Sequence, residues 1–203
     1  LEEKKITDNT IVIFFSDNGG VEWYNFSDNG VLRGIKGDFF EGGIRVPFTM
    51  QWPKKIKPGI TYDKPIIALD VFATVASAAS AEKHIKNDID GVDLLPYLTG
   101  DKFGLPHEYL YWKNPDKDID VVRDERYKYL RIKNDEYIFD LKNDISEETN
   151  IINSSKPIYD RLKSQFKEWE KGMIDPVFLD LGSGKEYNKL HPDRWYDNSN
   201  PKK

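Results

Sequence analysis

The sequence predicts an α/β chain in two parts. Residues 1–105 read as a portion of an α/β sandwich, and residues 106–203 as a small antiparallel four-stranded sheet packed on a C-terminal helix. Three observations predict this. Thr10–Phe15 (TIVIFF) is a continuous apolar run rich in β-branched and aromatic residues, the pattern of a strand buried on both faces under helices. Four short segments after residue 107 alternate apolar and polar positions. Ile158, Leu162, Phe166, Trp169 and Met173 then fall on one helical stripe.

In chain order, Leu1–Lys5 reads as the end of a helix entered midway. The run at 10–15 follows, and stops at the turn cluster Ser16-Asp17-Asn18-Gly19-Gly20. A parallel strand needs neighbours, which are expected elsewhere than in the few residues before it. Residues 19–45 are glycine-rich and also hold Trp23, Tyr24, Phe26, Phe39 and Phe40, so they read as a functional loop and not as a linker. Val46–Trp52 is expected as a second strand, ended by Pro53, Pro58 and Gly59. Asp70 is placed to cap a helix running to about Ser80, whose alanines permit close packing. Asp90–Asp93 is a turn and Leu94–Leu98 a short apolar segment. Glu108–Trp112, Asp120–Arg123, Tyr127–Ile132 and Tyr137–Leu141 form the meander, expected to keep one face wet. Ser155 and Pro157 suit the start of the last helix. Residues 174–203 show no periodicity and are expected to wrap the surface.

Composition narrows the class. Hydrophobic residues make 38% and aromatics 13% of the chain, enough for a packed core. The formal net charge of -5, with Lys and Asp/Glu interspersed, does not suit a nucleic-acid binder. No cysteine is present, which excludes disulfides, thiolate zinc sites and a cysteine nucleophile in this chain and leaves the redox compartment open. No apolar run is long enough to span a membrane.

Two places offer chemistry. Asp17 and Asn18 follow a strand directly, the position where open α/β sheets bind ligands, and their hard oxygen donors suit Ca²⁺ or Mg²⁺. The same residues also make an ordinary turn. In Leu32-Arg33-Gly34-Ile35-Lys36-Gly37-Asp38-Phe39-Phe40-Glu41-Gly42-Gly43-Ile44-Arg45-Val46-Pro47-Phe48, glycines on either side of Lys36 let backbone approach a ligand and present an ammonium to an oxyanion. Such a lysine is also a common solvated surface group. Glu41 and Arg45 read as a buried ion pair of the scaffold.

The pair SDNGG and LRGIKGDFFEGGIRVPF resembles the motifs of the type I, formylglycine-dependent sulfatases of the alkaline phosphatase superfamily. Asp70–Val75, Asp90–Pro96, Val122-Arg123, Tyr127–Tyr129, Tyr137–Leu141 and Asp144–Ile151 extend the resemblance over about residues 6–170. It implies the carboxy-terminal part of an alkaline-phosphatase-like α/β sandwich with its small sheet. It also implies a sulfuric ester hydrolase, arylsulfatase-like; the aromatic and charged C-terminal loops suit a sulfated sugar as its substrate. By that resemblance Asp17 and Asn18 are calcium ligands (magnesium being possible) and Lys36 contacts the sulfate as substrate-binding and catalytic cation. Arg33, Glu41 and Arg45 belong to the scaffold. His107 and the 185–195 segment are candidate substrate contacts, while His84, His107 and His191 also suit structural or surface roles. Periplasmic or secreted location is the family habit.

The nucleophile in the resembling enzymes is a formylglycine made from Cys or Ser in a C/S-x-P/A-x-R signature. Ser77-Ala78-Ala79-Ser80-Ala81 is the nearest match and lacks the arginine. Formylglycine, the other carboxylates and the acid/base are therefore expected in an N-terminal part of the same enzyme, the partner that this chain requires. Two other readings fit parts of the pattern: a phosphonate or phosphate ester hydrolase of the same superfamily, or a noncatalytic carbohydrate-binding or interaction module.

Overall fold

The computed structural model describes residues 1–21 and 27–174. Trp23, Tyr24, Phe26, the 185–195 segment and His191 lie outside the described residues. Among the described residues ten regular elements follow one another: β1 (Val12–Phe15), α1 (Glu41–Ile44), β2 (Phe48–Gln51), α2 (Asp70–Ala78), α3 (Leu95–Thr99), β3 (Leu110–Asn114), β4 (Ile119–Arg123), β5 (Tyr127–Ile132), β6 (Asp135–Asp140) and α4 (Lys156–Glu170). Short 3₁₀ turns join several of them. One such turn, Glu2–Lys4, stands where a helix end was expected.

The run at 10–15 does form a strand, but its described partner is β2, and the pairing is antiparallel, with Val12 opposite Gln51 and Phe15 opposite Phe48. Its expected burial on both faces is not met among the described residues: Phe14 is 70% exposed, and Val12 and Phe15 are also exposed. The apolar run is satisfied here only along one edge, because no described helix covers it. On α2, Phe72 and Val75 are likewise exposed, while Ala73 and Ala76 pack inward. Asp70 does not cap its own helix as expected. Its carboxylate instead accepts from the Ile67 N–H at 2.9 Å and the Val92 N–H at 2.8 Å, tying the 90–93 turn to the helix start.

The second sheet has the order β3-β4-β5-β6, each strand antiparallel to the next. Its register places Trp112, Val121, Leu130 and Tyr137 in one cross-strand row, and Tyr111, Val122, Tyr129 and Ile138 in the next. Side chains alternate between faces along a strand, so the two rows point to opposite sides. The second row meets α4, where Leu162 and Phe166 are buried against Val122, Tyr129 and Ile138. Trp169 stacks on Tyr111 with centroids 4.9 Å apart. Met173 falls beyond the helix and is exposed, so the stripe ends at Trp169. Ser155 takes the N-cap position without a side-chain capping bond.

The expectation of a wet face fails for this sheet. Ile119, Val121, Leu130, Phe139 and Leu141 form a second core on the opposite face, and Phe39 and Phe40 pack against it. The glycine-rich segment thus covers the sheet face that sequence alternation left for solvent. Alternation reports which residues share a face, and it cannot report what covers that face.

Candidate functional site

The site is built where β1 ends. Gly19 is buried against α1, and a Cβ at Gly19 would meet the Gly42 carbonyl oxygen at 1.7 Å. Only a residue without a Cβ permits that approach. Gly19 N–H donates to Gly43 O at 2.9 Å, and Gly42 N–H donates to Arg33 O at 2.7 Å. Gly20 is held from the other side. Its N–H donates to Asn29 Oδ1 at 2.8 Å, and Asn29 Nδ2 donates to Gly34 O at 3.0 Å. The SDNGG turn and the glycine-rich motif are therefore one backbone unit. Asn29 joins its halves, a role that one asparagine among loop residues does not announce in the sequence.

Asp17 and Asn18 both line a cleft of about 510 Å³. Its other walls include Phe15, Gly37, Asp38, Phe39, Trp112, Asn114 and Lys117. Asn18 Nδ2 donates to Gly19 O at 2.9 Å, which leaves its Oδ1 as the donor atom for a cation. Among the described residues nothing hydrogen-bonds or ion-pairs with the Asp17 carboxylate. A free carboxylate beside an amide oxygen is a fitting half-shell for a hard divalent cation, which takes six to eight oxygens when it is calcium. Among the described residues no group of three or more His, Cys, Asp or Glu stands together to complete such a shell.

Lys36 sits on the same loop, and its backbone N–H donates to Gly20 O at 3.0 Å. Its ammonium differs from the expectation: Lys36 is exposed and is not among the residues lining the cleft, although Gly37 is. Gly34 and Gly37 adopt φ of 86° and 90°, so the loop turns sharply on either side of the lysine and carries its side chain outward. The strand-end pair is brought together with the backbone at Gly37, and the Lys36 head is not. His107 lies elsewhere. Its Nε2 is 2.7 Å from Asp70 Oδ1, it is largely buried, and it lines neither this cleft nor the neighbouring one. The neighbouring cleft, about 550 Å³, shares Ile44, Val46, Phe48, Ile66 and Trp112 with the first.

The expected Arg45–Glu41 ion pair is present, but it is buried on the Glu41 side alone. Arg45 is 54% exposed and stands 3.7 Å from Glu41. Glu41 is fully buried and spends its carboxylate on the sheet, accepting from Arg123 Nη1 at 2.9 Å and Lys128 Nζ at 3.2 Å. Lys128, itself fully buried, also pairs with Glu147 at 2.8 Å. Glu147 accepts from the Glu41 N–H at 2.6 Å, and its carbonyl accepts from Arg33 Nη1 at 2.8 Å. Burial pushes the Glu41 carboxyl up, but Lys128 and Arg123 outweigh it and leave the group below its ordinary range. At Glu147 burial prevails over Lys128, and the carboxyl rises. By register, Arg123 and Lys128 share a row with the buried Leu110 and Phe139; the sequence pattern left that face for solvent, and only its cover turns two charges into a buried cluster.

Residues 36–172 match the family described as N-sulphoglucosamine sulphohydrolase, C-terminal. The chain belongs to the sulfatases. An uncharacterized sulfatase, YdeN, of Escherichia coli (strain K12) is 39% identical over 137 residues, covering 64% of this chain and 24% of YdeN. Steryl-sulfatase of Mus musculus is 42% identical over 118 residues, covering 55% of this chain and 19% of the relative. The chain thus spans about a fifth to a quarter of these two sulfatases. The crystal structure of Ps i-CgsB in complex with k-i-k-neocarrahexaose superposes with a TM-score of 0.78 at 26% identity, over 96% of this chain and 44% of that one. These likenesses bear out the α/β fold and the sulfatase resemblance read from SDNGG and the glycine-rich motif.

Proposed function

We propose that this chain forms the metal- and sulfate-facing wall of a sulfuric ester hydrolase acting on a sulfated carbohydrate. The observation that carries the reading is the pairing of Asp17 and Asn18 in one cleft, bonded through Gly19 to the lysine-bearing loop of a sulfatase-family chain. The oligosaccharide in the Ps i-CgsB complex supports a sugar as the substrate class. Asp17 and Asn18 would hold a calcium ion through carboxylate and amide oxygens. When bound, such an ion draws negative charge from the sulfuryl oxygens. Lys36 contributes a second positive charge to the same oxygens once its flexible head turns from solvent toward the cleft. Charges fixed in advance need little reorganisation as the transition state forms. The buried Gly19–Gly43 contact keeps the two groups on one rigid frame. No residue of this chain stands in a C/S-x-P/A-x-R signature, so the nucleophile comes from the rest of the enzyme.

The test uses the polypeptide extended to the length of its relatives, a chromogenic aryl sulfate and added Ca²⁺. Lys36→Ala is expected to lower kcat by about 10²–10³-fold, as loss of one charge-stabilising donor does. Because Lys36 is exposed, the unfolding midpoint should hardly move. Asp17→Ala is expected to raise the calcium concentration needed for half-maximal rate. An unchanged rate in Lys36→Ala, or a preference for a phosphonate monoester over the sulfate, overturns the reading.

A further inference from the structure

The buried charges on the α1 side of the sheet do more than fill a core. Glu41, Lys128 and Glu147 are fully buried, and each touches at least one of the others within 3.2 Å. Arg123 closes the group at 2.9 Å from Glu41. Fully ionised, the four carry two charges of each sign and are neutral together. Taking four charges out of water is costly, and an apolar cluster of similar volume would hold a sheet as well or better. What an ion cluster adds is direction: it fixes where Glu41 sits, to within hydrogen-bond tolerance.

Glu41 is also the first residue of α1, and from it a short run of backbone bonds leads to the site. Gly42 N–H reaches Arg33 O at 2.7 Å and Gly43 O receives the Gly19 N–H at 2.9 Å. Gly19 is next to Asn18, and Arg33 opens the turn that carries Lys36. A Cβ at Gly19 would meet Gly42 O at 1.7 Å, and one at Gly42 would meet Gly34 O at 2.2 Å and Arg33 O at 2.6 Å, so the backbones at both glycines are held tightly together. A shift of Glu41 therefore moves both halves of the candidate site.

We propose that Glu41, Lys128, Glu147 and Arg123 are positioning residues: the C-terminal sheet sets the placement of the Asp17–Asn18 turn and the Lys36 loop through this cluster. The catalytic part of this proposal rests on the sulfatase reading above, while the structural part does not. Amide hydrogen exchange on the chain separates the two. In Glu41→Gln, the amides of Gly19, Lys36 and Gly42 are expected to exchange at least about tenfold faster, while those of Leu130 and Ile138 in the sheet stay protected. Should Glu41→Gln fail to fold, Glu147→Gln, which keeps the volume and an acceptor for the Glu41 N–H, is read in the same way. An equal rise at Leu130 and Ile138 reduces the cluster to a matter of global stability and overturns the proposal, as does no change at Gly19 and Gly42. In the extended sulfatase, Lys128→Met should lower kcat on the aryl sulfate and Lys128→Arg should restore part of it. If the parent shows no aryl sulfate hydrolysis, the functional reading fails while the exchange result still stands or falls alone.

Discussion

On the α4 side of the four-stranded sheet, Val122, Tyr129 and Ile138 meet Leu162 and Phe166. On the α1 side, the same strands offer Arg123 and Lys128 to Glu41 and Glu147. Both faces are buried, but they fail differently. Apolar contact is non-directional and partly recovers when neighbours shift into a vacancy. A buried ion cluster recovers only if the lost charge is matched, because the remaining partners stay desolvated. The face away from the site meets its helix through apolar contact; the face bonded to the site adds the ion cluster to an apolar core of its own.

The largest expected effect breaks the comparison at its centre. Lys128→Ala leaves the Glu41 and Glu147 carboxylates buried together and should lower stability by about 3–5 kcal/mol in urea unfolding. Leu162→Ala, on the other face, should cost about 2–5 kcal/mol and be partly restored by Leu162→Met. Lys128→Met, of similar apolar volume, should not be restorative in the same way, because both carboxylates remain. If Lys128→Met is as mild as Leu162→Met, the two faces do not differ.

A smaller effect sharpens the contrast through pH. Burial tends to raise the Glu136 carboxyl, but the bonds it accepts from Lys163, Tyr129 and Tyr159, at 2.7, 2.6 and 2.8 Å, hold it down to about 2. The folded value lies below the unfolded one of 4.5. Glu136 therefore stabilises the fold above pH 4.5, and that stability is lost as pH falls toward 2. The loss should be on the order of 1–3 kcal/mol. On the α1 face, Glu41 is lowered and Glu147 raised, so their contributions oppose each other. Glu136→Gln should flatten the acid limb of a stability–pH curve. A limb unchanged in that variant would assign the acid sensitivity to the other face.

The smallest effect marks the edge of the charged face. Arg45 is half-exposed and 3.7 Å from Glu41, so Arg45→Ala should change stability by no more than about 0.5 kcal/mol. A cost near that of Lys128→Ala would return Arg45 to the cluster.

The sequence by itself determined much of this protein. TIVIFF made a strand, the four alternating segments made a meander with nearly the expected bounds, and the 158–169 stripe made a helix against it. These are local patterns, and the 2.0 and 3.6 periods carry them without reference to the rest of the chain. The juxtaposition of SDNGG with the glycine-rich motif was legible as a resemblance, and the Gly19–Gly42 approach supplies its physical reason.

Only the tertiary structure decided what each face meets. Alternation placed Lys128 on one face with Leu130, but a charge there means nothing until its partner is known, and Glu41 and Glu147 lie 87 and 19 residues away along the chain. Sequence proximity favoured Arg45 for Glu41 because one helical turn separates them. Arg45 does stand 3.7 Å from the Glu41 carboxylate, but Arg123 and Lys128 come closer, inside a desolvated space where a pairing is worth far more than it is at the surface. In the same way, a strand's apolar run fixes that it must be covered, while the cover is chosen by elements far off in the sequence.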